Sequence, residues 1–467
     1  MMTMIEVLSP YDRRQVGHVK AATPDDIENA LATAFGLFRD RRQWISKQKR
    51  IAILHKAAEI ITERREVLAR QAASEGGKPL RDSLIEVDRG VDGIRTCIEE
   101  LRTNAGSVIP MGLNATSADR IAFTQYEPIG VVVGVSAFNH PFNLVVHQIA
   151  PAVAVGAPVI LKPATTTPLS CKALVDIFEE AGLPSGWAQM VVPEPELATK
   201  LVSDARVGFL SFIGSAAVGW MLRSKLAPGA RCALEHGGVA PIIVSHDADL
   251  EMALPRIGKG AFWHAGQACV GVQRVFCDRR VVNDVAQGLA VIADRMIVGD
   301  PLNLETEVGP LITHREVERV GRWIDQAVSD GASLVTGGRK ISDSCYPNTV
   351  LMEPPTDADV TRKEIFGPVV CVYGYDDIDS AIALSNDLPF SFQAAVFTQN
   401  IDTAMHCYRH LDGTGIMVNE NTLFRVDWMP FAGARQSGLG VGGMHHTMHD
   451  MQTEKMMVWR SDALSGI

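Results

Sequence analysis

Cys269 is the residue best suited to covalent chemistry in this chain of 467 residues. It stands late in the segment F-W-H-A-G-Q-A-C-V-G-V-Q-R (262–274), with Gly266 and Gly271 on either side. The reactive form of a cysteine is the thiolate, which needs nearby donors or a positive environment. Small flanking residues let backbone N–H groups and a substrate approach one sulfur closely. Taken alone, Cys269 also reads as a buried small hydrophobe, the commoner fate of a free cysteine. A working nucleophile requires a base, a donor for a developing oxyanion and a partner that accepts electrons. Asn139, Lys162, Gly214 with Ser215, and Glu235 are the polar groups whose positions suit such roles, because each falls at or just past the end of a strand.

Those strands follow from hydrophobic patterning. Residues 24–75 read as helix, opened by Pro24, Asp25 and Asp26, and residues 81–105 continue helically with Arg89 and Arg95 among their charges. Residues 119–127 alternate polar and apolar like a half-exposed strand. From Val131 onward strand and helix alternate. V-V-V-G-V-S-A-F is a strand, N-L-V-V-H-Q-I-A-P-A-V-A-V a buried helix and P-V-I-L-K-P a strand. Pro168 to Ala181 is a helix closed by Gly182. Strands at 187–192, 207–212 and 231–235 enclose helices starting near Glu194 and Ser215. This alternation implies right-handed crossovers and a doubly wound parallel sheet. Ligands on such sheets lie beyond the carboxyl ends of the strands, so the polar groups named above should collect along one edge. A second α/β unit starts near Pro241 and carries Cys269. It continues through the helix 315–330, the loop 364–368, the strand 369–373, the helix 378–384 and a Gly-rich loop at 429–440. The tail 455–460 reads as a last strand able to pair with the strand near 121–126, in the same chain or across an oligomer interface.

The bulk numbers narrow the function classes. The length suggests two or three domains. A hydrophobic fraction of 46% with 21% charged residues is that of a folded globular chain. A formal net charge of −10, with no basic run, argues against nucleic acid and anionic membrane as partners. No apolar run is long enough for a signal peptide or a membrane span. The eight cysteines are scattered without a C-x-x-C pair, which fits a cytoplasmic location and neither a disulfide framework nor a metal site. No G-x-G-x-x-G is present. F-I-G-S (212–215) instead puts Gly214 and Ser215 at a helix start, where free N–H groups and the helix dipole favour phosphate, although Ser is also an ordinary cap there.

Seven segments in this order resemble the aldehyde dehydrogenase superfamily over nearly the whole chain. They are A-F-N-H-P-F (137–142), L-K-P-A (161–164), F-I-G-S (212–215), L-E-H-G-G (234–238), G-Q-A-C (266–269), E-I-F-G-P (364–368) and P-F-A-G-A-R-Q-S-G-L-G (430–440). The resemblance implies a dinucleotide-binding domain (1–117 and 130–237), an α/β catalytic domain (238–440) and a small β oligomerisation arm (118–129 and 441–467). It implies oxidation of an aldehyde to a carboxylate with NAD or NADP. Cys269 resembles the nucleophile, Asn139 and the Cys269 N–H the oxyanion donors, and Glu235 the base that activates water against the thioester. Lys162, Ser215 with Gly214, Glu364 and Phe366 resemble the cofactor contacts, and Phe431 an aromatic wall of the substrate funnel. A homodimer or homotetramer is implied.

Departures from the family pattern carry information. His140 follows Asn139 where an aromatic is common, and as the neighbour of the oxyanion donor it is a candidate substrate contact. His236 stands in L-E-x-G-G where an apolar residue is usual. Ala432 and Arg435 replace the more usual Gly and Lys. Thr165 stands where NAD-preferring members often carry Glu, so the repulsion of a 2′-phosphate is absent. Glu194 and Glu196 lie near the expected adenine pocket and pull the other way; both cofactors are expected. V-Q-R (272–274) and F-R-V-D (424–427) resemble the branch acting on small polar or anionic aldehydes. An anionic substrate needs a cation near the sulfur, for which Arg89, Arg95, Arg120 and His140 are candidates, with Arg425 read as possible framework. Two alternatives remain: an acylating enzyme that hands the thioester to coenzyme A, against which Glu235 argues, and a catalytically silent binding protein, against which the retained Cys269 and Asn139 argue.

Overall fold

The computed structural model describes residues 3–464. Two large sheets dominate it. The first has six strands in the order Gly438–Leu439, Arg231–Glu235, Val207–Ile213, Val131–Val135, Val159–Lys162 and Ala188–Met190. Its last five strands are mutually parallel, and helices cover both faces. The second has seven strands, with Val272–Asp278 at its centre between Val369–Tyr375 and Ala240–Val244. Every residue of Val272–Asp278 is buried, as expected of a strand covered on both sides. The fold is therefore the doubly wound α/β type read from the pattern of alternating runs.

The amino-terminal stretch 24–75 departs from a single helical reading and forms three helices, Pro24–Arg39, Lys47–Glu63 and Arg65–Gly76. The breaks are chemical. Thr23 opens the first with a capping box to Asp26, Ser46 caps the second through Lys49 N–H, and Gly77 ends the third at φ 75°. The helix Leu80–Thr103 then lies against the buried helix Asn143–Val155.

A third, three-stranded sheet pairs Gln452–Arg460 antiparallel with Arg120–Pro128, from Gln452 opposite Pro128 to Arg460 opposite Arg120. The tail strand thus finds its partner within the same chain, and its own outer edge stays open. Residues 465–467 of the expected arm lie outside the described residues. Among the described residues no helix is long and apolar enough to cross a membrane.

Candidate active site

The parallel strands of the first sheet end together. Val135 pairs with Lys162 on one side and with Phe212 on the other, and Ile213 pairs with Glu235. Groups just past these ends therefore share one edge, and a cleft of about 810 Å³ opens there. Cys269, Asn139, Glu235, His140 and Phe431 line it, and so do Lys162, Thr165, Gly214, Ser215, Glu364 and Phe366. Arg89 lines it as well; Arg95 and Arg120 do not. Arg95 lies six positions on from Arg89 along the same helix, about 240° around the axis, and is exposed. Arg120 belongs to the third sheet, where it pairs with Asp119.

Cys269 reaches the cleft through a left-handed turn. His264, Ala265 and Gly266 have φ of 51°, 54° and 69°. For a residue with a Cβ this region costs on the order of 1 kcal/mol, so the surroundings must hold the turn in place. A Cβ on Gly266 would strike the carbonyl of Gly367, which fixes glycine at that step. Gln267, 1% exposed, ties the turn down: its amide donates to the carbonyls of His264 (3.1 Å) and Pro310 (3.2 Å), and its Oε1 accepts from Ile312 N–H (2.9 Å). Sequence reasoning gave Gln267 no role; its signal was a long amide between a glycine and the nucleophile. Cys269 packs beside Val270, Phe392 and Phe431. Burial, and then the charge of Glu235, push its thiol well above the ordinary range, with Arg425 opposing.

Asn139 is buried, and its Nδ2 donates to the carbonyl of Gln267 at 2.9 Å. Glu235 ends its strand with Gly438 directly opposite in an antiparallel pair, so the Gly-rich loop forms the outer edge strand beside the carboxylate. The Oε1 of Glu235 is buried without a hydrogen-bond partner. Burial raises the pKa of this carboxyl, and Arg425 partly offsets the rise.

Arg425, which the sequence placed with the framework, lines the cleft. Its guanidinium carbon lies 3.6 Å from the centre of the Phe431 ring, and Nη1 is 3.7 Å from Glu235 Oε1. Asp427 is held by Arg89 at 2.7 and 3.1 Å and by His147 Nε2 at 2.8 Å, so its carboxylate stays well below its usual range despite burial. His140 is tilted against Trp263, ring centres 5.3 Å apart. Burial, then the neighbouring Lys78, Arg89, His264 and Arg425, push its pKa well below the ordinary value. It therefore enters the cleft as a neutral ring, not as a cation for an anionic group. His236 is packed edge-on to Phe212 and Trp220, and Nδ1 meets the Gln436 carbonyl at 2.9 Å.

The remaining lining groups suit a nucleotide. Glu364 Oε1 is buried with no partner, and burial pushes this carboxyl up to about 8. An acceptor in that condition is matched by a hydroxyl donor such as a ribose. A Cβ on Gly237 would collide with the Glu364 carboxyl, so a glycine keeps that space open. Phe366 meets Phe138 edge-on at 5.7 Å. Lys162 is half-buried; burial lowers its pKa and Glu194 opposes the fall. Ser215 opens the helix Ala216–Arg223 without using its side chain as a cap, leaving the hydroxyl for other partners. Glu196 points along its own helix to Lys200, 3.4 Å away.

The aldehyde dehydrogenase family model matches residues 2–457 of this chain. The sequence is 35% identical over 455 residues to the 3-sulfolactaldehyde dehydrogenase of Priestia aryabhattai, covering 97% of this chain and 94% of that one. The crystal structure of aldehyde dehydrogenase 21 from Physcomitrella patens, in complex with the reaction product succinate, matches with a TM-score of 0.94. The two are 32% identical, over 98% of this chain and 95% of that one. Glyceraldehyde-3-phosphate dehydrogenase from Methanocaldococcus jannaschii, complexed with NADP, matches with a TM-score of 0.93 at 30% identity, over 99% and 100% of the two chains. The chain belongs to the aldehyde dehydrogenase family. It is an NAD(P)-dependent aldehyde dehydrogenase.

Proposed function

We propose that this enzyme oxidises a small aldehyde bearing an anionic or strongly polar group to its carboxylate, with Cys269 as nucleophile. The carrying observation is a single cleft lined by Cys269, Asn139, Glu235 and Arg425. The Cys269 thiol loses its proton to Glu235, which passes it to solvent; the sulfur attacks the aldehyde carbon, and the oxygen that becomes negative is met by the Asn139 amide and the Cys269 N–H. Such donors are aimed where charge develops and contribute on the order of a few kcal/mol each. When bound, the nicotinamide supplies the two-electron acceptor that turns the thiohemiacetal on Cys269 into a thioester. Glu235 then takes a proton from water, whose oxygen attacks the acyl carbon; the C–S bond breaks and the thiol is restored. Glu364 and Lys162 hold ribose hydroxyls in this reading, Gly214 and Ser215 the pyrophosphate, and Phe366 packs beside the nicotinamide end.

Three similar proteins support the anionic substrate. Their names specify a sulfonated aldehyde, a dicarboxylate product and a phosphorylated aldehyde. Arg425 is the cation of this chain suited to such a group, because it faces the cleft beside the thiol and the base. The test is a panel of small aldehydes, charged and neutral, each with NAD and NADP, ranked by kcat/KM. Neutral aldehydes outranking all charged ones would overturn the substrate reading; acyl-CoA as the sole product in the presence of coenzyme A would overturn the hydrolytic one.

The half built on the six-stranded sheet holds the cofactor in this reading, and the seven-stranded half delivers Cys269. The third sheet is the contact to a second copy. Its edge strand Gln452–Arg460 is exposed along eight of its nine residues, Met456, Met457, Val458 and Trp459 among them. An apolar open edge of that length invites another chain. Light scattering that finds only monomers would overturn this. A cytoplasmic location accords with eight free cysteines, six of them buried.

A further inference from the structure

Three arginines line the cleft, and they are not equivalent. Arg319 is spent on Glu316 at 2.6 Å and on the Ile365 carbonyl at 2.5 Å. Arg89 spends its Nε and Nη2 on both oxygens of Asp427. Asp427 is also taken by His147. Arg425 is left at 3.7 Å from Asp427 and at 3.7 Å from Glu235, beyond hydrogen-bonding distance from either. Its Nε is buried with no partner, and so is Glu235 Oε1. The Arg425 side chain is only 10% exposed, so most of it is withdrawn from solvent. A guanidinium with unspent donors therefore sits in the cleft wall, over the Phe431 ring, against an equally unspent carboxylate. The charge of Arg425 also acts on the Cys269 thiol.

We propose that Arg425 is shared between the general base and the substrate. In the free enzyme its charge faces Glu235 at 3.7 Å; the anionic group of a bound aldehyde takes up its free donors, cancels that charge and leaves Glu235 as the stronger base. A charged substrate would thereby promote hydrolysis of its own thioester. This rests on the reading of the substrate as anionic. The charged and titratable groups facing Glu235 are Arg425 and Asp427 of the segment 424–427, Arg89 of the helix Leu80–Thr103, and the Cys269 thiol. Of these, Arg89 and Asp427 neutralise each other, so Arg425 is the cation whose charge is left to act. A cation at this range depresses a carboxylate, and an anion placed on that cation cancels the effect. No new co-reactant is needed: the proton removed from water still ends on Glu235.

The experiment follows decay of the Cys269 thioester by rapid quench against pH. The substrates are a four-carbon aldehyde with a terminal carboxylate and its primary amide, which matches it in shape without the charge. In the native enzyme the acid limb of hydrolysis is expected about one pH unit higher for the carboxylate than for the amide. In Arg425→Met the two limbs should coincide at the higher position; in Arg425→Lys, which keeps a charge, a gap should remain. Coincident limbs in the native enzyme, with kcat/KM still favouring the carboxylate, overturn the sharing and leave the substrate reading intact. No preference for the carboxylate overturns both. A gap that persists undiminished in Arg425→Met assigns the effect to another cation and overturns the proposal. The native comparison needs no variant, so a poorly folding Arg425→Met does not remove the test.

Discussion

The Asn139 side-chain amide donates to the main-chain carbonyl of Gln267 at 2.9 Å, two residues before the nucleophile. That bond joins the loop after Val131–Val135 to the loop that carries the sulfur, and so sets the separation of the Asn139 amide and the Cys269 sulfur. A side-chain amide has two N–H groups. With one spent on Gln267, the other is oriented by it and costs nothing further to aim. Asn139→Ala should lower kcat by about 10²–10³ with cofactor KM nearly unchanged. Steady-state rates with saturating NAD or NADP check this, and loss of both parameters together would point to a disordered loop instead.

The thiol of Cys269 is raised by burial and secondarily by Glu235. Below its pKa the thiolate fraction, and hence alkylation of the free enzyme, should climb about tenfold per pH unit. Replacing Glu235 by Gln removes the repelling anion, so the thiolate becomes more populated and iodoacetamide should react faster at pH 8. The same variant loses the base. It should consume one equivalent of aldehyde and stop, with the acyl group retained on Cys269 and visible by intact mass. Continued turnover in Glu235→Gln would remove Glu235 from the hydrolytic step.

Much of this site could be read from the chain because its pieces are local. Lys162, Glu235 and the pair Gly214–Ser215 are each fixed by the strand that precedes them, and strand ends show in the pattern of apolar runs. Arg425 could not be read that way. Its placement depends on Asp427 being claimed by Arg89, 338 positions away in sequence, and on His147 from a third element. Arg89 and Arg95 looked alike as charges on one helix; only the packed face decides between them. The capping residues Thr23 and Ser46 were visible as residue types, yet the continuous helical spacing of apolar residues across 24–75 hid the stops between helices.

Glu364 links function to stability. Its carboxyl titrates near 8 in the folded protein against an ordinary 4.5, because burial disfavours the anion. The folded chain then holds a proton that the unfolded chain has released, so between 4.5 and about 8 this group makes the free protein less stable as pH rises. Glu364→Gln removes that slope. Thermal melts should show the variant gaining most at pH 8 and nothing near pH 4.5, while its affinity for NAD and NADP falls.

Asp427 shows the opposite sign. Burial alone would raise its pKa, but His147 and Arg89 hold it well below the ordinary 3.8. Its contribution is complete above that value and is lost as pH falls beneath it. Asp427→Asn should cost on the order of 3 kcal/mol at pH 7, since the charge of Arg89 loses its partner. Urea unfolding should show this deficit at pH 7 and a smaller one below pH 3.8.

Thr165 lies exposed on the cleft wall three residues beyond Lys162, and it carries no charge that could repel a phosphate. Glu194 is close enough to Lys162 to act against the effect of burial, and it supplies the negative charge on that side. With one cation and one anion at the same end of the cleft, both cofactors are expected to bind. Thr165→Glu adds a second carboxylate, which can accept from the ribose hydroxyls of NAD but faces the 2′-phosphate of NADP. At an effective dielectric near 20 and a separation of about 4 Å, like charges repel by on the order of 4 kcal/mol, before screening by salt reduces it. The variant should therefore lose NADP-dependent kcat/KM by at least tenfold and keep most of its NAD activity, with the NADP loss shrinking as ionic strength rises. Equal losses with both cofactors would place Thr165 away from the 2′ position.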